Sequence, residues 1–504
     1  MLATMKSPLH QRRRFIQQLL ALTGAHLVGG CGSGGGSTGG KGGNGGNGGG
    51  APGAGKRVVV VGGGLAGMCS AYELRKKGYE IAAILEAQGR TGGRVLTLRD
   101  GFKNGQYAEA GATRIADTHS FTLAYAKEFK LTLREFTSGT PLYYLKNKPP
   151  FLHADGDPWP SDVVSFPNAM QEMSEGADSI VYDYEKLDEL GDPLAADWPT
   201  GKALDYNDMG IEDYLKANGA NDDVVLIDRV INGTELKRDG ALYWLMADVV
   251  DAKWDKTFAI AGGNDQLPKA FAAALGDLIK LKSEVTEIAQ TDNGVTVTYK
   301  DSGGAMQTIS GDLCVVAVPF TTLRKIKITP GLEAAKQKIV DNLAMMPVGR
   351  CYMQTKSRFW KTKGIGGLKV ARTDTYAERL WDVTNVQDGD TGILLSYMMA
   401  DNGEAFGMQP DAMKLDYVTT KVAEFFPEIT SEFDNGQYKV WQDDPWVGGG
   451  WANYKSGEMK EAFPAAKKAE GRLHFCGEHT SAWSGWMQGA LESANRVVAE
   501  ITTG

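Results

Sequence analysis

A chain of 504 residues, 42% of them hydrophobic, is long enough to fill two ordinary packed domains. Its formal charge of −8 and its pI near 5.5 leave no cationic face to displace counterions, so no nucleic-acid partner is expected. The five cysteines, Cys31, Cys69, Cys314, Cys351 and Cys476, have no paired spacing from which a metal site or a disulfide framework can be read.

Near the start, Arg12-Arg13-Arg14-Phe15-Ile16 sets a twin arginine before large apolar residues, and a moderately apolar run follows over 19–30. The pattern looks like a twin-arginine export signal, and its run falls short of the roughly 20 residues that span a hydrocarbon core. It closes on Leu27-Val28-Gly29-Gly30-Cys31, which resembles a lipobox, where cleavage leaves Cys31 free for lipid attachment. An ordinary signal ending near a cysteine is the alternative; either way the expected location is periplasmic or extracellular. Residues 32–55 are almost all Gly, Ser, Asn or Ala, a composition that buries no core and serves as a tether, so the folded body is expected from Lys56.

Arg57-Val58-Val59-Val60-Val61 reads as a strand buried on both faces, and it runs into Gly62-Gly63-Gly64-Leu65-Ala66-Gly67. Gly62 permits a tight turn, Gly64 lets backbone approach a pyrophosphate, and Gly67 lets a helix over 68–77 pack on the strand. The helix N-terminus then offers unpaired N–H groups and a favourable dipole to phosphates. A second strand over 81–85 ends at Glu86, where a carboxylate binds ribose hydroxyls and disfavours the 2′-phosphate of NADP. NAD and FAD remain open at this point.

The next segment, Arg90-Thr91-Gly92-Gly93-Arg94, resembles one in the flavin-containing amine oxidase family, which includes monoamine, polyamine and L-amino-acid oxidases. By that resemblance Arg90, Gly93 and Arg94 lie along the FAD diphosphate and ribityl chain, and two arginines suit phosphate charge. At the far end, Leu473-His474-Phe475-Cys476-Gly477-Glu478 and the helix after it resemble the element that closes the same site. Gly477 and Glu478 are implied at the diphosphate and ribityl hydroxyls, Trp486 and Met487 along the isoalloxazine, and Val285 at the adenine. The resemblance covers nearly everything after Lys56.

The implied fold is α/β: an FAD-binding Rossmann-type, glutathione-reductase-like domain that is discontinuous in sequence, with a mixed α+β substrate-binding domain. We expect the FAD domain over 56–124, 256–324 and 451–504, a largely helical insert over 125–255 and the substrate domain over 325–450. Trp451 and Trp486 match the two positions of the family's aromatic cage, each with a plain core tryptophan as its alternative. Arg114 matches the arginine that L-amino-acid oxidases use for the substrate carboxylate, a task suited to a planar guanidinium fork, and Tyr397 matches the second contact. Arg350 stands where many relatives carry a lysine that holds a water at flavin N5. Val447-Gly448-Gly449-Gly450 lacks the cysteine through which monoamine oxidases attach the cofactor, so noncovalent FAD is expected. An ungapped match places Asp248 near the pocket, where it favours a basic substrate, or else on a helix surface.

The expected activity is FAD-dependent oxidation of an L-amino acid by dioxygen to a 2-oxo acid, ammonia and hydrogen peroxide. The rivals are an oxidase or dehydrogenase for amines without a carboxylate, and an exported flavoprotein that passes electrons to a protein partner. A homodimer is expected by resemblance alone.

Overall fold

The computed structural model describes Gly53 and residues 55–168, 175–233, 239–251 and 254–503. The twin arginine, Cys31 and nearly all of the glycine-rich tether lie outside the described residues.

The valine run becomes the central strand Arg57–Val61 of a five-stranded parallel sheet, because residues apolar on both faces need cover on both faces. On one side lie Glu80–Leu85 and then Ile279–Lys280; on the other, Leu313–Val316 and then Leu473–Phe475. The helix Leu65–Lys76 covers one face and packs against the C-terminal helix Met487–Thr503, so the two ends of the folded body meet. An antiparallel sheet of Met306–Gly311, Gly294–Lys300 and Glu284–Thr291 packs against the parallel one. Its fourth strand, Lys327–Thr329, pairs in parallel with Glu284–Thr291, so a boundary at 324 cuts through this sheet. No helix among the described residues is long and apolar enough to cross a membrane.

A third, seven-stranded sheet runs in the order Phe433–Val440, Val348–Thr355, Gly392–Met399, Arg379–Asp382, Lys369–Thr373, Leu142–Tyr144, Phe151–Leu152. Every residue of Val348–Thr355 and Gly392–Met399 is buried, which is why neither shows period-two alternation in the sequence. The insert over 125–255 is less helical than expected. Its apolar pairs at Tyr143-Tyr144 and Phe151-Leu152 extend this sheet, and only the later part forms the helices Ala177–Tyr182, Ile211–Ala217, Asp222–Asn232 and Ala241–Asp251. The wall these helices make faces the end of the parallel sheet where its strands terminate.

Gly62 turns with φ of +107°, and a Cβ at Gly67 would stand 2.1 Å from the Gly62 carbonyl oxygen. Gly67→Ala is therefore expected to push the helix off the strand, at a cost of about 1–3 kcal/mol by overpacking. A lowered thermal midpoint together with reduced flavin absorbance per protein is the expected outcome; unchanged values would show that the close approach is not needed.

Candidate active site

One cavity joins the first glycine turn to the helices of the insert, and its lining includes Glu86, Gly64, Gly93, Arg94, Glu478, Trp486, Arg114 and Arg379. At its near end Glu86 accepts N–H bonds from Gly63 to Oε2 and from Gln88 to Oε1, both at 2.8 Å, which leaves each oxygen one acceptor position. Burial raises its pKa, and those two N–H groups and Arg90 oppose the shift. The helix Leu65–Lys76 starts at Gly64 without a side-chain cap, and a Cβ on Gly64 would meet nothing within 4 Å. An uncapped helix start beside open space, followed by a buried acid and by Val285, fits a dinucleotide with its diphosphate at Gly64 and its adenosine toward Glu86.

The two glycine motifs dock on each other. Gly92 donates to the Gly63 carbonyl at 2.9 Å and forms a parallel bridge with Gly64. Arg90 does not line this cavity: its guanidinium turns to the carbonyls of Thr91 and Gly93, at 3.2 and 2.8 Å, so it staples its own loop instead of facing phosphate. Arg94 does line it, and donates to the Gly450 carbonyl at 3.0 Å and to Glu478 at 2.5 Å.

Glu478 differs from the expected ribityl contact. Its Oε1 accepts from Arg94 and the Ala452 N–H, and its Oε2 from Ser484 and the Gly485 N–H. All four acceptor positions are filled. The carboxylate thus acts by holding the cavity wall together; burial alone would raise its pKa, but Arg94, His479 and these N–H groups hold it below the ordinary value. Beside it Gly477 takes φ of +138°, and Trp486 and Met487 line the cavity wall.

At the far end Trp451 and Trp486 both line the cavity, with Gly485 packed so closely that its Cβ would lie 3.4 Å from the Trp451 ring. Tyr397 stands edge-on to Trp451 at 6.5 Å and to Trp381 at 5.2 Å between ring centroids. Arg114 sits over three indoles, Trp381 at 4.9 Å, Trp486 at 5.2 Å and Trp254 at 5.7 Å. It has no carboxylate within ion-pair distance among the described residues. Burial lowers its pKa and Asp251 opposes the shift, but an arginine remains charged. Three π faces can stabilise a guanidinium without using its N–H groups, which stay free for an anion.

Arg350, which stands where many relatives carry a lysine, lines the cavity and is tied to backbone. One nitrogen, Nη1, donates to the carbonyls of Glu109, at 3.0 Å, and Gly111, and to the Thr113 hydroxyl at 2.9 Å. It clamps the segment leading into Arg114 and stacks on Tyr397 at 4.3 Å.

Asp248 does not line the cavity either; it faces Glu185, to which it is hydrogen-bonded, and burial raises its pKa. Three residues on, Asp251 does line it, on the helical stripe with Tyr243 and Ala247. Its Oδ2 accepts the Trp486 indole N–H at 3.3 Å, and its Oδ1 has no hydrogen-bond partner among the described residues. Burial pushes its pKa up to about 7, against Arg114 and that N–H. Asp251, Trp254, Trp381 and Arg379 are the site residues that sequence reasoning missed. The period of the helix would have found the first; the others carry no local motif.

The fold and this cavity define a dinucleotide-dependent oxidoreductase, and residues 65–502 match the family described as flavin containing amine oxidoreductase. The chain belongs to that family. It is 28% identical over 459 residues to YobN of Bacillus subtilis (strain 168), covering 88% of this chain and 94% of that protein. It is 25% identical over 460 residues to the L-amino-acid oxidase of Pseudechis australis, with coverages of 88% and 86%. Among solved structures, cyclohexylamine oxidase from Brevibacterium oxydans IH-35A superposes with a TM-score of 0.75 at 20% identity, over 89% of this chain and 99% of that one. It shares the fold.

Glu478→Gln keeps the shape but leaves the largely buried Arg94 uncompensated, a loss of about 3–5 kcal/mol for a buried pair. Both thermal stability and flavin retention are expected to fall. A variant that holds its flavin and melts like the parent would mean that the hub is dispensable.

Proposed function

We propose that this chain is an FAD-dependent L-amino-acid oxidase that converts an L-amino acid to a 2-oxo acid and ammonia. The observation that carries the reading is Arg114, a half-buried guanidinium held over three indoles in the cavity wall with no ion pair among the described residues. Its fork suits the α-carboxylate, and the Tyr397 hydroxyl donates to the second oxygen. The FAD, when bound, supplies a hydride acceptor whose electrons pass on to dioxygen to give hydrogen peroxide.

The protein's own residues bind, orient and dry the substrate. Trp451 and Trp486 wall the amine, and a dry aromatic environment disfavours the ammonium over the reactive neutral form. Asp251 takes the ammonium proton at Oδ1. Loss of hydride from Cα then leaves an imino acid, which water hydrolyses. Noncovalent FAD belongs to the same proposal, supported by the fact that none of Cys69, Cys314, Cys351 and Cys476 lines the cavity. So does export by the twin-arginine route with lipid attachment at Cys31, on the strength of Arg12-Arg13 and the apolar run that ends at that cysteine.

Anaerobic mixing with L-amino acids is expected to bleach the flavin, and the matching decarboxylated amines are expected to fail. Arg114→Met should lower kcat/KM for the amino acid by about 100-fold or more, as loss of a buried charged hydrogen-bond partner does, with flavin content retained. Bleaching by amines alone would sink the reading and leave the family assignment intact. With Asp251 as proton acceptor, kcat/KM rises with pH through about 7 as its carboxylate forms, and Asp251→Asn removes that limb. An unchanged profile in the variant would assign the proton to another group.

A further inference from the structure

One rung of the seven-stranded sheet collects cations from separate strands. Reading across by pairing, the residues side by side are Lys439, Arg350, Tyr397, Arg379, Arg372, Tyr143 and Phe151. Like charges at directly paired positions repel, so each cation in such a row needs an answer. Lys439 pairs with Asp444 at 3.0 Å, and Arg350 spends Nη1 on backbone carbonyls and a hydroxyl. Arg372 contacts Asp178 and the Tyr143 hydroxyl, at 3.3 and 3.2 Å.

Arg379 has a carboxylate beside it but is the member left short of hydrogen-bond acceptors. It is 8% exposed and lines the cavity, and its guanidinium stacks on Tyr397 at 4.7 Å, on the same tyrosine that Arg350 covers. Nη1 donates to the Ile231 carbonyl at 2.8 Å. Nε and Nη2 are buried without a hydrogen-bond acceptor, and the nearest carboxylate is that of its own neighbour Glu378, 3.6 Å from Nη2. That carboxylate accepts from the Met399 N–H at 2.8 Å and from Asn402 at Oε2 and turns Oε1 toward Arg379, so it balances the charge without giving Nη2 or Nε a hydrogen-bond acceptor. Nε and Nη2 form one edge of the guanidinium, the edge that receives both oxygens of a carboxylate. Buried donors without acceptors are costly and call for an explanation.

We infer that Arg379 is a second anion anchor, which makes the preferred substrate an L-amino acid whose side chain ends in a carboxylate. The inference rests on the reading of Arg114 as the anchor of the α-carboxylate. Arg114 and Arg379 line one cavity and each raises the electrostatic cost of the other, a repulsion that a substrate with two carboxylates relieves. Tyr397 lies between the two subsites, paired across the strands with Arg379 and edge-on to Trp381, over which Arg114 sits. Engagement requires the Arg379 guanidinium to turn about its last torsions, because both free nitrogens are shielded from water.

The test compares L-glutamate and L-aspartate with L-glutamine and L-asparagine, which match them in shape and lack the charge, by rapid anaerobic flavin bleaching in the flavin-loaded protein. The parent is expected to favour an acid over its amide by about 100-fold or more in kcat/KM, the scale of a buried charge contact. Arg379→Met is expected to collapse that ratio to near unity, and Arg379→Lys to restore part of it, since a lysine keeps the charge but loses the fork. An amide that matches its acid in the parent overturns the inference even if both variants fail to fold, as does a ratio that survives Arg379→Met. Bleaching by neutral L-amino acids but not by the acidic ones removes Arg379 from the argument and keeps the oxidase reading. No bleaching by any L-amino acid removes both.

Discussion

A buried run of backbone must find a donor for each carbonyl, and the segment 109–113 meets that demand with four side chains from three distant parts of the chain. Arg350 and Tyr352 donate to Glu109, Trp441 to Ala110, Arg350 to Gly111, and Asn264 to Ala112 and Thr113. The segment passes so near the second glycine motif that a Cβ on Gly111 would overlap the Arg94 carbonyl. Arg114 is the very next residue of the chain. The placement of its guanidinium, and through it of the substrate end of the cavity, depends on donors from the seven-stranded sheet pointing back at the nucleotide-binding half.

The same logic of shared donors and acceptors joins the chain ends. Glu478 gathers Arg94 from the second glycine motif, the Ala452 N–H next to Trp451 and the Gly485 N–H from the turn before Trp486. A carboxylate with four partners is saturated and cannot also serve a ligand, so its value lies in setting the spacing between the dinucleotide limb and the aromatic limb. Arg90 works in the same way on a smaller scale, closing its own loop. Both residues were expected to touch the cofactor, and both instead shape the wall that does.

Charge in the cavity is strongly sorted. Arg94 faces Glu478 midway, while the far end carries Arg114, Arg350 and Arg379 with Asp251 as the lining acid. Aromatic faces separate these cations, which lowers the cost of burying them close together without consuming their hydrogen bonds. A cationic and aromatic end suits anionic substrate groups, whereas an amine without a carboxylate would leave the Arg114 guanidinium unanswered.

The nucleotide half was legible because its signals are local. A valine run, three glycines, a helix and an acid succeed one another within about one βαβ unit, and each imposes its geometry on its neighbours. Arg114, Tyr397, Trp451 and Trp486 were reached through motif matches, and they do meet in one cavity. Asp251 was missed by one turn of a helix in favour of Asp248. Arg379 had no signal at all. Its meaning arises only when Val348–Thr355, Gly392–Met399 and Arg379–Asp382 pair in register and bring it beside Tyr397 and opposite Arg372. Sequence alone determined the class of cofactor cradle, since backbone conformation and helix dipoles act over a few residues. Which charges share a wall, and which of them lack a partner, was decided by strand register in the folded protein, because that pairing joins residues that the chain keeps far apart.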